Sequence, residues 1–141
     1  MQPTTNTFVL VAEDCPVSTG VTPALRGGQP TIASLQHEIL LAKPYKLTLE
    51  DLMLAVHLSR EGLSAIEAKE MAKEIHEKLF GKPYPCMRAS PLPKKCGWGV
   101  HYDAKGRIGL VAVDTPEYQR FANGEVAGVE VVKAMRSKRA G

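Results

Sequence analysis

The sequence predicts an α+β fold with a mainly antiparallel sheet of four to five strands, covered by about three helices plus one short helix. Three observations predict it. A β-branched, apolar run stands near the N-terminus at residues 6–12, and three segments with helical spacing follow between residues 31 and 79. A hairpin signal, a short helix start and a valine-rich run then fill residues 98–135. Helices bunched between strands, with a hairpin among those strands, describe a sheet with helices packed on it.

The first run, Asn6-Thr-Phe-Val-Leu-Val-Ala12, has the short length and side chains of a buried strand. It stops at Glu13-Asp14-Cys15-Pro16, and the chain from there to residue 30 holds Pro16, Pro23, Pro30, Gly20, Gly27 and Gly28. That composition supports neither helix nor strand. The segment 13–30 is therefore read as a long loop, and loops longer than about 12–15 residues tend to be binding elements or lids.

Three helices follow. Between Thr31 and Ala42, Ile32, Leu35, Ile39 and Leu40 recur at helical spacing, and Lys43-Pro44 ends the segment. Thr48 can cap a second helix with Glu50 and Asp51 in its first turn, a stripe of Leu49, Leu52, Met53 and Val56, and Gly62 at its end. Ser64 with Glu67 forms a capping box for a third, whose apolar face is Ala68, Met71, Ala72, Ile75 and Leu79. Gly81 and Pro83 close it.

Beyond this the pattern turns to strands. Residues 85–90 read as a short strand, and Trp98–Asp103 pairs with Arg107–Val113 through a turn at Ala104-Lys105-Gly106. Thr115-Pro116 starts a short helix reaching about Ala122. Asn123-Gly124 turns the chain into a last strand, Gly128–Met135, expected to pair with the first at the centre of the sheet. Residues 136–141 form a basic tail.

The 141 residues are the size of one domain, read as 1–141, and such a chain buries roughly two-thirds of its unfolded surface. With 44% hydrophobic and 23% charged residues it is neither disordered nor fibrous. The N-terminus lacks the basic and apolar regions of a secretory signal, and no apolar run approaches the roughly 20 residues of a membrane span. Three cysteines, an odd number, fit reduced thiols. These features lead to the expectation of a soluble, cytoplasmic protein with no membrane partner. The net charge of +3 conceals an asymmetry: residues 1–80 carry ten acidic and seven basic groups, residues 81–141 five acidic and eleven basic. The positive field of the second part would steer an anionic partner.

The stretch Met87–Tyr102 gathers the chemically special residues Arg88, Lys94, Lys95, Cys96, Trp98 and His101. Zinc would need closely paired ligands, yet Cys15, Cys86, Cys96 and His101 contain no Cys-x-x-Cys pair, so no metal site and no cofactor are expected. Cys96 follows two lysines, whose charge favours the thiolate, but an odd offset along a strand turns His101 to the opposite face. Glu13, Asp14 and His101 stand at strand ends and are candidates for acid–base chemistry. His37, His57 and His76 lie beside helical stripes and read as boundary residues. Gly27-Gly28-Gln29-Pro30-Thr31 runs a glycine loop into a helix N-terminus, where free N–H groups favour an anion, although it lacks a P-loop ending.

Three segments together carry a resemblance. Ala12-Glu13-Asp14-Cys15-Pro16, the run from Arg88 through Ala-Ser-Pro-Leu-Pro-Lys-Lys-Cys-Gly-Trp-Gly-Val to His101, and Val132-Lys-Ala-Met-Arg-Ser-Lys-Arg139 resemble a family of small, mostly bacterial proteins catalogued as a domain of unknown function. The resemblance spans nearly the whole chain and implies a complete single-domain protein. It implies no activity and no catalytic residue.

The functional expectation is binding of an anionic, phosphate- or carboxylate-bearing small molecule or a nucleic-acid segment by Arg88, Lys94, Lys95, Trp98, Arg136 and Lys138. The basic groups would meet charge, and Trp98 with Tyr102 would offer a stacking surface. One alternative is a small enzyme using Glu13, Asp14 and His101 or the Cys96 thiol. Another is a structural, partner-binding protein.

Overall fold

The computed structural model describes residues 4–82 and 86–135. Among the described residues four strands form one sheet: β1 (Thr7–Leu10), β2 (Trp98–Tyr102), β3 (Ile108–Ala112) and β4 (Glu130–Lys133), in the order β3-β2-β1-β4. The α+β class is as expected, but the sheet is mixed. Val9 pairs with Val100 and Val100 with Leu110 in antiparallel registers, whereas Val9 and Val132 pair in a parallel one. The parallel pair has a topological cause. Two successive reversals leave β3 running the same way as β1, so the chain must cross from one sheet edge to the other to add β4 in parallel. The short helix α6 (Pro116–Ala122) makes that crossing. The first and last strands pair as expected, but β4 takes the sheet's edge, so the pair does not lie at its centre.

Among the described residues there are six α-helices, more than expected. α1 (Ile32–Ala42) and α2 (Leu49–Glu61) match their predicted spans, with Thr31 and Thr48 as N-caps and Gly62 ending α2 at φ 65°. The predicted third helix is broken at Met71 into α3 (Ala65–Glu70) and α4 (Ala72–Phe80). The strand predicted for 85–90 is replaced, within the described residues, by a 3₁₀ turn at Met87–Ala89 and the short helix α5 (Pro91–Lys95). Ser90 accepts a hydrogen bond from Leu92 N as its cap, with Pro91 in the first turn, so the backbone at 90–91 is already committed to a helix start.

The two faces of the sheet are covered unequally. Val9, Val100, Tyr102 and Ile108 project to one side and pack with Leu35 and Leu40 of α1, Leu52 and Val56 of α2, Met87, and Leu92 of α5. Each fully buried leucine here contributes about 1.5–3 kcal/mol through removal of its surface from water. On the other face Phe8 and Val111 meet Tyr118 of α6, with Phe121 stacked on Phe8 at 4.3 Å. Tyr118 also uses its hydroxyl to accept from Val11 N at 2.8 Å.

The long loop is partly ordered by its neighbours. Ala12 N donates to Pro93 O and Val21 N to Cys96 O, each at 2.9 Å, which lays residues 12–21 along α5 and the start of β2. Gly97 makes this possible. It has φ +76°, and a Cβ there would stand 2.2 Å from Thr19 O. Further on, Arg26 and Gln29 exchange backbone hydrogen bonds around Gly27 and Gly28, both with positive φ, the signature of a two-residue reverse turn.

Candidate functional site

Of the residues expected to bind an anion, Arg88 and Trp98 are engaged by the chain itself. The Nε of exposed Arg88 donates to Lys133 O at 2.7 Å, and Met135 N returns a bond to Arg88 O at 2.9 Å, so Arg88 fastens the end of β4. The Lys133 ammonium in turn pairs with Glu13. Lys94 and Lys95 occupy the last turn of α5. Arg136 and Lys138, with the rest of the basic tail, lie outside the described residues. Trp98 is half-buried: its indole N–H donates to Val21 O at 2.8 Å, and its ring packs against His37 at 5.1 Å and close to Gly20. The indole therefore seats the 12–21 loop.

The glycine loop before α1 is likewise occupied by the chain itself. Thr31 Oγ1 accepts from Ser34 N at 3.1 Å while Ser34 Oγ accepts from Thr31 N at 2.8 Å. This reciprocal cap satisfies N–H groups that an anion would otherwise use.

Of the catalytic candidates, His101 lies on β2, Glu13 and Asp14 in the loop after β1, and Cys96 at the C-cap of α5. His101 pairs in register with Phe8 and Gly109 on the α6 face, its ring 4.6 Å from Phe121. Its Nδ1 is 3.0 Å from the hydroxyl of Tyr45, a residue with φ +56° whose ring lies over Gly109. Burial lowers the His101 pKa, opposed by Asp103. Burial raises that of Tyr45, with Glu117 and Asp103 adding to the effect. Glu13 pairs with Lys133 beyond the end of β1, and Asp14 follows it in the same loop. Cys96 packs against the helix-covered core. Its thiol is pushed up by burial and by Cys15 against the smaller pull of Lys95, the reverse of the activation expected from its lysine neighbours. Among the described residues no group of three or more His, Cys, Asp or Glu is placed to hold a metal.

The structure instead presents a cleft of about 320 Å³ between α1, α2, α4 and residues 86–91. Ile32, Leu49, Met53, Val56, Leu79 and Met87 supply an apolar lining. Polar groups interrupt it at a few points. Ser90 donates to Gln36 Oε1 at 2.9 Å on one wall, and His57, Arg60 and Glu61 stand along the C-terminal half of α2. Cys86 also lines it. Size, apolar lining and sparse polar groups are those of a small-molecule site.

The family model described as a family of unknown function (DUF6157) matches residues 2–140. The chain belongs to this family. No match was found among the curated proteins or the solved structures. No helix among the described residues of this DUF6157 protein is long and apolar enough to cross a membrane.

The sequence does not single out Gln36, Met53, Arg60 and Ser90 as site residues, offers Cys86 only as a zinc ligand, and gives His57 as a boundary residue. One signal was present. The apolar positions of α1 and α2 are broader than the stripes they bury: Ile32 is 47% exposed while Leu35 and Leu40 are buried. A stripe wider than its core contact leaves apolar surface facing a neighbour or a hollow.

Proposed function

We propose that this DUF6157 protein binds an amphipathic small molecule with one negatively charged end. Its apolar body lies between α1, α2 and α4, and its charged group is directed toward Arg60 and His57. A single observation carries the reading, namely the cleft of about 320 Å³ whose apolar walls are broken by the Ser90–Gln36 pair and by His57, Arg60 and Glu61. An apolar body gains by leaving water against Met53, Val56 and Leu79, and the few polar groups fix its orientation. Glu61 follows Arg60 at the rim, so a single carboxylate is accommodated better than a doubly charged phosphate. The anionic ligand class expected from the sequence is kept, and the reading places it in the cleft in place of Arg88, Lys94, Lys95, Trp98, Arg136 and Lys138.

Titration calorimetry with decanoate and with decanol tests this. Decanoate is expected to bind saturably and more tightly than decanol, by about threefold, the contribution of one exposed charge pair, and salt should shrink the difference. Arg60→Gln should remove the preference, and Met53→Trp, which fills the cleft, should abolish both. Failure of both compounds to bind, or decanoate binding untouched by Met53→Trp, would overturn the reading.

A further inference from the structure

We propose that α3 and α4 form a hinged cover over the cleft, open to admit a ligand and closing toward α2 once it is bound. The proposal rests on the cleft being the binding site. Between Ser64 and Lys78 the one buried side chain is Ile75. α3 buries none of its residues, and Ile66 and Met71 are 72% and 39% exposed. Helices of six and nine residues are too short to persist without tertiary support. Their hold on the body is therefore slight, and the local opening free energy of such a segment lies at the low end of the range within a protein.

The geometry beneath the pair is suited to movement. Besides the cleft, a second hollow of about 240 Å³ separates α4 from α2, lined by His57, Glu61, Leu63, Met71, Ile75 and Lys78 among others. His57 and Glu61 line both spaces, so the two are adjacent compartments along α2. Close packing resists displacement, and between Ser64 and Lys78 it is confined to Ile75, beside this hollow. The hinges stand at the start and in the middle of the segment. Gly62 carries the chain out of α2 at φ 65°, and Met71 interrupts the helix with φ −98° and ψ 9°. Leu79 lines the cleft itself, so a ligand there touches the moving element directly.

Hydrogen exchange of the full chain, free and with saturating decanoate, tests the cover. In the free protein the amides of residues 65–80 are expected to exchange about a hundredfold or more faster than those of α1 and α2. Decanoate should slow them. Ile75→Ala should speed exchange in 65–80, leave β2 and β3 unchanged and hasten decanoate release. Exchange in 65–80 as slow as in α1 without ligand would overturn the proposal, as would decanoate that binds by calorimetry and leaves 65–80 unprotected. Absence of decanoate binding is a different result, which removes the cleft reading and the cover with it.

Discussion

Replacing Gly97 by alanine is expected to be among the most damaging single-methyl additions in this protein. Two costs act together. Its φ of +76° is in the left-handed region, which costs an alanine about 1–2 kcal/mol. The added Cβ would also stand 2.2 Å from Thr19 O and 2.9 Å from Thr19 C, and overpacking of this kind costs about 1–3 kcal/mol. Thr19 has little freedom to retreat, because its loop is tied down by Val21 N to Cys96 O and by the Trp98 indole to Val21 O. The expected loss is about 2–5 kcal/mol. Gly28→Ala is the matched control: φ is +79° and nothing lies within 4 Å of a Cβ there, so it should lose only the conformational part, about 1–2 kcal/mol. Urea denaturation of both variants measures the difference. Equal losses would refute the close seating of the 12–21 loop on Gly97.

Three further outcomes are expected. Tyr102→Phe removes the hydroxyl that accepts from Met87 N at 3.2 Å in a buried setting, so denaturation should show a loss of about 1–3 kcal/mol from the orphaned N–H. Burial lowers the pKa values of His37 and His101 from 6.5, so the unfolded chain binds protons more readily and stability should fall as pH drops below 6.5 toward the folded-state values. His37→Phe should flatten that slope in denaturation measured against pH, and an unchanged slope would deny His37 its share. Finally, Cys96 should react slowly with a thiol reagent near neutral pH because burial and Cys15 raise its pKa. Decanoate should protect Cys86, which lines the cleft, and labelling followed by mass spectrometry separates the two sites.

The features legible from sequence are those whose hydrogen bonds close within a few residues. The Thr48–Asp51 and Ser64–Glu67 caps, the Thr115-Pro116 start and the turn between β2 and β3 are all local, and each stands where the residues place it. Ser90-Pro91 carries the same start signal as Thr115-Pro116, but its helix ends within five residues, too few to show a helical stripe. The break at Met71 was hidden for the opposite reason, since the apolar spacing runs straight through it. Strand direction depends on where the chain crosses the sheet, so no period in Gly128–Met135 tells parallel from antiparallel. The candidate site was least legible because its contacts are long-range. Ser90 reaches Gln36 across 54 residues and Trp98 reaches Val21 across 77, and the cleft exists only once α1, α2 and residues 86–91 have come together. Charge in the 88–98 segment is conspicuous in sequence, but the bond from Arg88 Nε to the backbone of β4 is not legible there.

A decanoate titration followed by amide and side-chain NMR shifts tests the central claim most directly. The account predicts saturable shifts gathered on Ile32, Gln36, Met53, His57 and Ala89 around the cleft, and their loss in Met53→Trp. Shifts gathered instead on Lys94, Lys95 and the Trp98 indole, or none at saturating ligand, would contradict it.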